Sequence, residues 1–391
     1  MVDAQEIFNR AGPLYQARMW RPHLVKRLRP RGGLEEQPAE LQIVSEKWNI
    51  RAQVPYLAYL PERDRLLMLL QCEHQPAAIY SDDHGATWTR PRLANPELAV
   101  TPDRYYLGVG LSYLGNGTAV FSDARGSCEA TRLWYTHDHG ESWPESKPMP
   151  RAFDGKYCLQ WDPFLVDRNR TTGSVERLAL AGYTCTTDGN HTLGFIRFSS
   201  DVGDTWTPDL VVPQWSRKNE IALTRTASGD ILAAARLDPA DENLDKIDHY
   251  TGFGVSVSKD DGRTWSEVET VYEMGRHHTS TIVLPNRHLV MTYVVRAGYP
   301  ETKEGYAQFG VEAIVSRDHG RTWDLGSRIV LHAWNSGRKD IPQWYRSVQQ
   351  TSSVLLPDGH IYTAFGTYYR SEPVEDGAIR PLDVGLVRWT P

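Results

Sequence analysis

One recurring pattern constrains this chain more than any other feature. The stretch YSDDHGATWTRP (80–91) places Ser81, Asp83, Gly85, Thr87 and Trp88 in the order S/T-x-D-x-G-x-S/T-W. The order returns with Thr136, Asp138, Gly140, Ser142 and Trp143, and with Ser199, Asp201, Gly203, Thr205 and Trp206. It returns again with Ser258, Asp260, Gly262, Thr264 and Trp265, and with Ser316, Asp318, Gly320, Thr322 and Trp323. Such a box suits the tip of a β-hairpin. The Asp carboxylate accepts hydrogen bonds from nearby backbone N–H groups. The Gly adopts a backbone conformation that other residues resist, and the Trp packs its apolar face under the turn. A catalytic or metal loop is rarely present five times in one chain, so the boxes read as structural staples.

Spacing turns the repeat into an architecture. Successive box tryptophans are 55, 63, 59 and 58 residues apart. A four-stranded propeller blade with its loops takes roughly 40–60 residues, so each interval holds one. The stretch from about residue 330 to 391 is the length of one more blade, which makes six. Between boxes, runs such as IALTRTASGDILAAAR, TIVLPNRHLVMTYVV and SSVLLPDGHIYTAF are apolar segments split by a tight turn, the mark of a hairpin. Helical periodicity is confined to AQEIFNRAG near the start. The expectation is an all-β, six-bladed β-propeller over residues 46–391. Residues 1–45, with the basic run RPHLVKRLRPRGG, are expected to be a solvated segment packing on its edge.

Composition narrows the partners. A net charge of -6 speaks against a nucleic-acid surface. No apolar run approaches the ~20 residues of a membrane helix, and MVDAQEIFNRAG lacks the apolar core of a signal peptide. The native compartment stays open. Cys72, Cys128, Cys158 and Cys185 show no CxxC spacing, so neither a zinc site nor a redox motif is expected. No metal or other cofactor is expected. The 13 Trp and 19 Tyr suit an aromatic-lined sugar cleft, which makes an oligosaccharide or glycoconjugate the expected partner.

The box resembles the bacterial neuraminidase repeat, or Asp-box, and the chain resembles the sialidase superfamily of six-bladed propellers. That resemblance implies three arginines clamping a substrate carboxylate, an Asp acid/base, and a Tyr nucleophile paired with a Glu. NEIALTRTASGDILAAAR is similar to the segment in which the Glu opens an inner strand and an Arg ends the next, which implies Glu220 and Arg236. The pattern breaks elsewhere. In RAQVPYLAYLPERDRLLML the first-arginine position is Gln53, with Arg51 two residues earlier on the same strand face. The nucleophile position, eight residues before Asp358 of LLPDGHIYTAF, is Gln350. The acid loop has almost no insertion, and Glu73 and His74 stand where it would begin.

The inner strands therefore offer a changed polar set: Gln53, Glu73 and His74; Arg104, Tyr105 and Tyr106; Gln160 and Asp162; Glu220 and Arg236; His277, His278 and Arg296; Arg346, Gln350 and Tyr369. Three functions are open. An exo-acting glycoside hydrolase on a terminal, carboxylate-bearing sugar needs two carboxyl groups, Glu220 with Glu73 or Asp162, while Arg236, Arg296 and Arg346 hold the substrate. A lyase acting at a uronic acid needs a base and an acid, His74, His277 or His278 with Tyr105 or Tyr106, and arginines on the enediolate. A propeller that only binds glycans needs neither.

Overall fold

The structure, a computed structural model, describes residues 20–48, 50–73, 75–95, 106–125, 129–186, 191–238, 251–335, 350–367 and 383–391. Among these the regular structure is strand, apart from two single-turn 3₁₀ segments. The AQEIFNRAG stretch lies outside the described residues.

Four antiparallel sheets of four strands stand as separate blades. The first holds β3 (Ala52–Leu60), β4 (Arg65–Cys72), β5 (Gln75–Ser81) and β6 (Arg92–Leu93). The second holds β7 (Tyr106–Gly115), β8 (Thr118–Arg125), β9 (Glu129–Thr136) and β10 (Glu145–Pro148). The third holds β11 (Leu165–Arg168), β12 (Val175–Cys185), β13 (Thr192–Ser199) and β14 (Leu210–Ser216). The fourth holds β15 (Lys218–Arg225), β16 (Ile231–Leu237), β17 (Phe253–Ser258) and β18 (Glu269–Tyr272).

The other nine strands form one continuous sheet. They are β1 (Arg21–Leu28), β2 (Leu34–Ile43), β19 (Arg276–Val283), β20 (Leu289–Val295), β21 (Gln308–Ser316), β22 (Ile329–Asn335), β23 (Thr351–Leu355), β24 (Ile361–Thr367) and β25 (Asp383–Trp389). Their order is β19-β20-β21-β22-β1-β2-β25-β24-β23. The expected six separate blades are thus four. The cause is β1, which pairs with β22 through Arg27–Ile329 and Lys26–Val330 while pairing with β2 along its whole length. Residues 21–43 carry no box, so box spacing is blind to this seam. Part of the presumed edge segment supplies β1 and β2, and β2 pairs with the last strand, β25.

Each box has the same hydrogen-bond network. In the fourth, Ser258 Oγ donates to Asp260 Oδ1 at 2.9 Å, and Thr264 donates its N–H to Oδ1 at 2.9 Å and its hydroxyl to Oδ2 at 2.6 Å. The Gly262 N–H donates to Ser258 Oγ at 2.8 Å. Asp83, Asp138, Asp201 and Asp318 are held in the same way. The glycine has a second reason to be glycine. A Cβ on Gly140 would collide with Leu67 of the first blade, one on Gly203 with Tyr135 of the second, and one on Gly320 with Leu232 of the fourth. Each of these boxes abuts the sheet before it, so it fixes the packing between sheets as well as its own turn.

The hydroxyl of Thr264, then its N–H, hold the Asp260 carboxyl down at about 2, from an ordinary 3.8. A carboxyl depressed in the folded state stabilises above its unfolded pKa and loses that contribution as pH falls through the folded value. Asp260→Ala should therefore lower the melting temperature at pH 7. Its deficit against wild type should shrink as pH drops from about 4 towards about 2. Thermal melts across that range check both, and a deficit independent of pH would remove the network from the explanation.

Candidate functional site

The inner strands β3, β7, β11, β15, β19 and β23 ring a common axis, since all six contribute to one cavity of about 490 Å³. The cavity is lined by residues of all six strands and by Asp162 and Gln350, which precede β11 and β23. Gln53, Tyr106, Glu220, His277 and His278 of the polar set singled out by sequence lie near the N-terminal ends of inner strands.

Those ends are not regular strand. The ladder slips between Gln53 and Tyr56 in β3, between Val109 and Ser112 in β7, at Glu220 in β15 and at His278 in β19. At each slip one residue takes a left-handed backbone: Val54 (φ 51°), Gly110 (φ 68°), Glu220 (φ 46°) and His278 (φ 52°). A bulge of this kind unpairs one residue and re-aims its side chain. For residues other than glycine this conformation is costly and persists only where the surroundings over-determine it. Glu220 is the extra residue between the pairs Asn219–Arg236 and Ile221–Ala235. Its carboxylate turns to the arginine beside it.

The resulting contacts form a chain across two sheets. Arg236 Nη1 donates to Glu220 Oε1 at 2.9 Å, and Arg236 Nε donates to Thr251 Oγ1 at 3.1 Å. Glu220 Oε2 lies 2.9 Å from His278 Nδ1. On the far side of that ring, Arg296 Nη2 is 3.2 Å from His278 Nε2. A guanidinium only donates, so Nε2 accepts and the proton of the neutral imidazole sits on Nδ1, facing Glu220. Burial lowers the pKa of His278 despite the carboxylate, which keeps the ring neutral. Loss of the Arg296 donor, as in Arg296→Met, should let the Nε2–H tautomer appear, visible in the ring ¹⁵N shifts of His278. Unchanged shifts would remove Arg296 from this role.

A second carboxyl belongs to the same environment. Burial first, and then the negative charge of Glu220, hold the Asp162 carboxyl well above the usual range. Asp162 Oδ2 has no hydrogen-bond partner among the described residues. Tyr56 and Tyr183 are also buried, and burial, with the nearby carboxylates, raises both phenols well above normal. Tyr56 donates to the Trp161 carbonyl at 2.7 Å. The Trp161 indole donates to Gln350 Oε1 at 3.0 Å, and its ring lies 6.1 Å from that of His278. The half-buried Trp161 thus links the third sheet to both inner strands of the nine-stranded one.

Several sequence expectations meet here and others do not. Glu220, Arg236, His278 and Arg296 are in one chain of close polar contacts. The His277 ring stacks at an angle 4.5 Å from His278. Gln53 is the second residue of β3 and Tyr106 the first of β7, and Gln160 Nε2 donates to the Asp162 carbonyl. Glu73 is elsewhere engaged: Arg51 holds its carboxylate through Nε at 3.0 Å and through its own N–H at 2.9 Å. His74, Arg104, Tyr105, Arg346 and Tyr369 lie outside the described residues. Sequence reading passed over Tyr56, Trp161, Tyr183 and Thr251. Only Trp161, between the two flagged residues Gln160 and Asp162, had a signal that could have found it.

Glu220, His277 and His278 also bring one ligand atom each within 4.8 Å of one another. That donor set could hold a divalent cation. Arg236 and Arg296 already bond two of the three side chains, so an ion would have to displace two guanidinium groups.

The family model for the BNR/Asp-box repeat matches residues 79–90, the first of the five turns. No curated protein sequence matches the chain significantly. Solved structures similar to it include a protein of unknown function from Dyadobacter fermentans, at 15% identity and TM-score 0.64, covering 86% of this chain and 94% of that one. A Trypanosoma rangeli sialidase, solved with sialic acid, is 13% identical with TM-score 0.57, covering 97% of this chain and 59% of that one. A Penicillium chrysogenum α-L-arabinanase, solved with arabinobiose, is 11% identical with TM-score 0.52, covering 86% and 93%. The chain carries a BNR/Asp-box repeat and shares a β-propeller fold with these structures.

Proposed function

We propose that the chain is a glycoside hydrolase acting on a terminal sugar, with Asp162 and Glu220 as its working pair. The observation that carries this reading is the divergence of two buried carboxyl groups in one environment. Glu220 is clamped by Arg236 and faced by the Nδ1–H of His278. Asp162 is pushed up by burial and by Glu220. Two carboxyls with separated protonation states are what glycoside hydrolysis needs. Asp162 is the proton donor to the leaving oxygen. Glu220 acts on the opposite side, on water or on the anomeric carbon. The sialidase and arabinanase activities of the similar structures fit this reading.

A tyrosine nucleophile fits less well. Gln350 stands at its expected position, Tyr56 is bonded to a carbonyl, and Tyr183 is held neutral by burial. The guanidiniums of Arg236 and Arg296 make the end of the channel near Glu220 electropositive, which favours a carboxylate-bearing sugar. Arg236→Lys keeps the charge and loses the planar fork, so binding of such a substrate should weaken. The lyase reading is weakened for one of its three candidate bases, His278, because Arg296 donates to its Nε2 and Glu220 faces its Nδ1.

The test is digestion of a panel of acidic and neutral glycosides. New reducing ends without a rise in the unsaturated-uronate absorbance support hydrolysis. A rise would replace the reading with elimination, and neither signal would leave a glycan-binding propeller. For the hydrolase, activity should fall on the alkaline side only above the ordinary carboxylate range, because Asp162 must stay protonated.

A further inference from the structure

One aromatic ring of the site is exposed where its neighbours are not. Tyr56, Tyr183, His277 and His278 are buried, whereas Trp161 is half-buried. Yet two groups with almost no solvent contact hold it in place. The Tyr56 hydroxyl donates to the Trp161 carbonyl at 2.7 Å, and the indole N–H donates to Gln350 Oε1 at 3.0 Å. Gln350 is 1% exposed, and its amide Nε2 donates to the Thr351 carbonyl at 3.2 Å, which leaves Oε1 facing the indole. A tryptophan that served only as core would be buried. Here buried polar groups are spent on fixing a ring that keeps surface open.

The ring also sits where a sugar cleaved by the proposed pair must lie. Asp162 is the next residue in the chain. The His278 ring, whose Nδ1 is 2.9 Å from Glu220 Oε2, lies 6.1 Å from the indole at 34°. Tyr56, Asp162 and Gln350 all line the axial cavity, so the indole is anchored between that cavity and the Glu220 cluster. The other groups there are carboxyls, guanidiniums, imidazoles and an amide, which suit the hydroxyls and charge of a sugar. A pyranose carries hydroxyls around its rim and C–H groups on its faces, and those faces need an apolar surface. A tryptophan offers a large one. A ring fixed before the ligand arrives also lowers the ordering cost of binding.

We propose that Trp161 is the platform on which the terminal pyranose stacks, a C–H face against the indole, with Asp162 at the glycosidic oxygen and the sugar carboxylate turned to Arg236 and Arg296. The platform selects for a closed sugar ring, because an open-chain polyol has no such face. The proposal rests on the hydrolase reading for the roles of Asp162 and Glu220, and its binding test does not require turnover.

The experiment is NMR titration of the full chain, labelled with 5-fluorotryptophan, with the α and β methyl thioglycosides of D-galactose, D-glucose and D-glucuronate, and with D-glucitol as the open-chain control. The sulfur linkage resists cleavage, so the probes are not consumed. The Trp161 ¹⁹F resonance is assigned by its absence in Trp161→Phe. At least one pyranoside should shift that resonance saturably, and the C–H protons on one face of the bound sugar should move upfield in the ring current of the indole. D-glucitol should do neither. Trp161→Ala should weaken binding about tenfold and abolish the upfield shift, while Trp161→Phe should lose less. Two results would overturn the proposal: a Trp161 resonance that no pyranoside moves, or pyranoside binding equally strong in Trp161→Ala. Should Trp161→Ala misfold, the ¹⁹F shift in the wild-type fold and the affinity of Trp161→Phe still decide. Stacking without turnover of the corresponding oxygen glycosides would keep the platform and remove hydrolysis. Turnover with binding indifferent to Trp161 would remove the platform alone.

Discussion

Glu220→Gln should lower turnover of the best glycoside by ~10²-fold or more while the fold and substrate binding persist, the size expected when general acid/base assistance is lost. The amide keeps the shape of the side chain, and its oxygen can still accept from Arg236. What disappears is the charge that Arg236 grips and the acceptor that His278 Nδ1–H faces at 2.9 Å. The variant carries a second signature. Glu220 is one of the causes that raise the Asp162 carboxyl. Its neutralisation should bring Asp162 back towards the ordinary range and shift the alkaline limb of the residual activity to lower pH. If Glu220 only positions Arg236, the loss should instead appear mainly as a raised KM. A wild-type rate with an unmoved pH profile would place the chemistry elsewhere.

The second large effect is on stability and involves a residue outside the site. Glu312 on β21 is fully buried. Its carboxylate accepts from the Tyr299 hydroxyl at 2.8 Å, the Tyr293 hydroxyl at 3.0 Å, and Nε of both Arg276 and Arg328 at 3.3 Å. Tyr272 joins through Tyr293 at 3.1 Å, and Arg276 lies over the Tyr272 ring. Removing one member of a buried ionic network leaves the others desolvated and unpaired, at a cost of about 3–5 kcal/mol. Glu312→Leu should lower the unfolding free energy by that amount, read from the midpoint of denaturant unfolding at constant slope. An effect below about 1 kcal/mol would mean that Arg276 and Arg328 find water or other partners once the carboxylate is gone.

The residues behind these two predictions differ in how far sequence reveals them. Glu220 and Arg236 sit in a local segment with a recognisable order, so they could be named in advance. Glu312 sits in QFGVEAIVS as a lone charge in a strand, and nothing local says that two arginines and two tyrosines converge on it. The boxes are legible because each is a self-contained turn. Ser, Asp, Gly and Thr within a few residues satisfy one another, so the pattern implies the hydrogen bonds. The repeat of that turn at near-constant spacing then implies stacked antiparallel sheets around an axis.

Sequence by itself thus determined the all-β propeller, the staple turns, and the hairpin carrying Glu220 and Arg236, since all of these rest on contacts between near neighbours. Tertiary structure alone decided the rest. The edge pairing of β1 with β22 joins residues about 300 positions apart and merges what spacing had counted as separate blades. The bulges that turn Glu220 and His278 towards each other depend on ladder register, which no motif records. Closing the ring then brought Asp162 of the third sheet within reach of Glu220 of the fourth. Within the first sheet, the β3–β4 register that pairs Ala52 with Cys72 ties Glu73 to Arg51 instead. Burial and charge at that meeting point set which carboxyl keeps its proton, and both are properties of the closed ring, not of either segment.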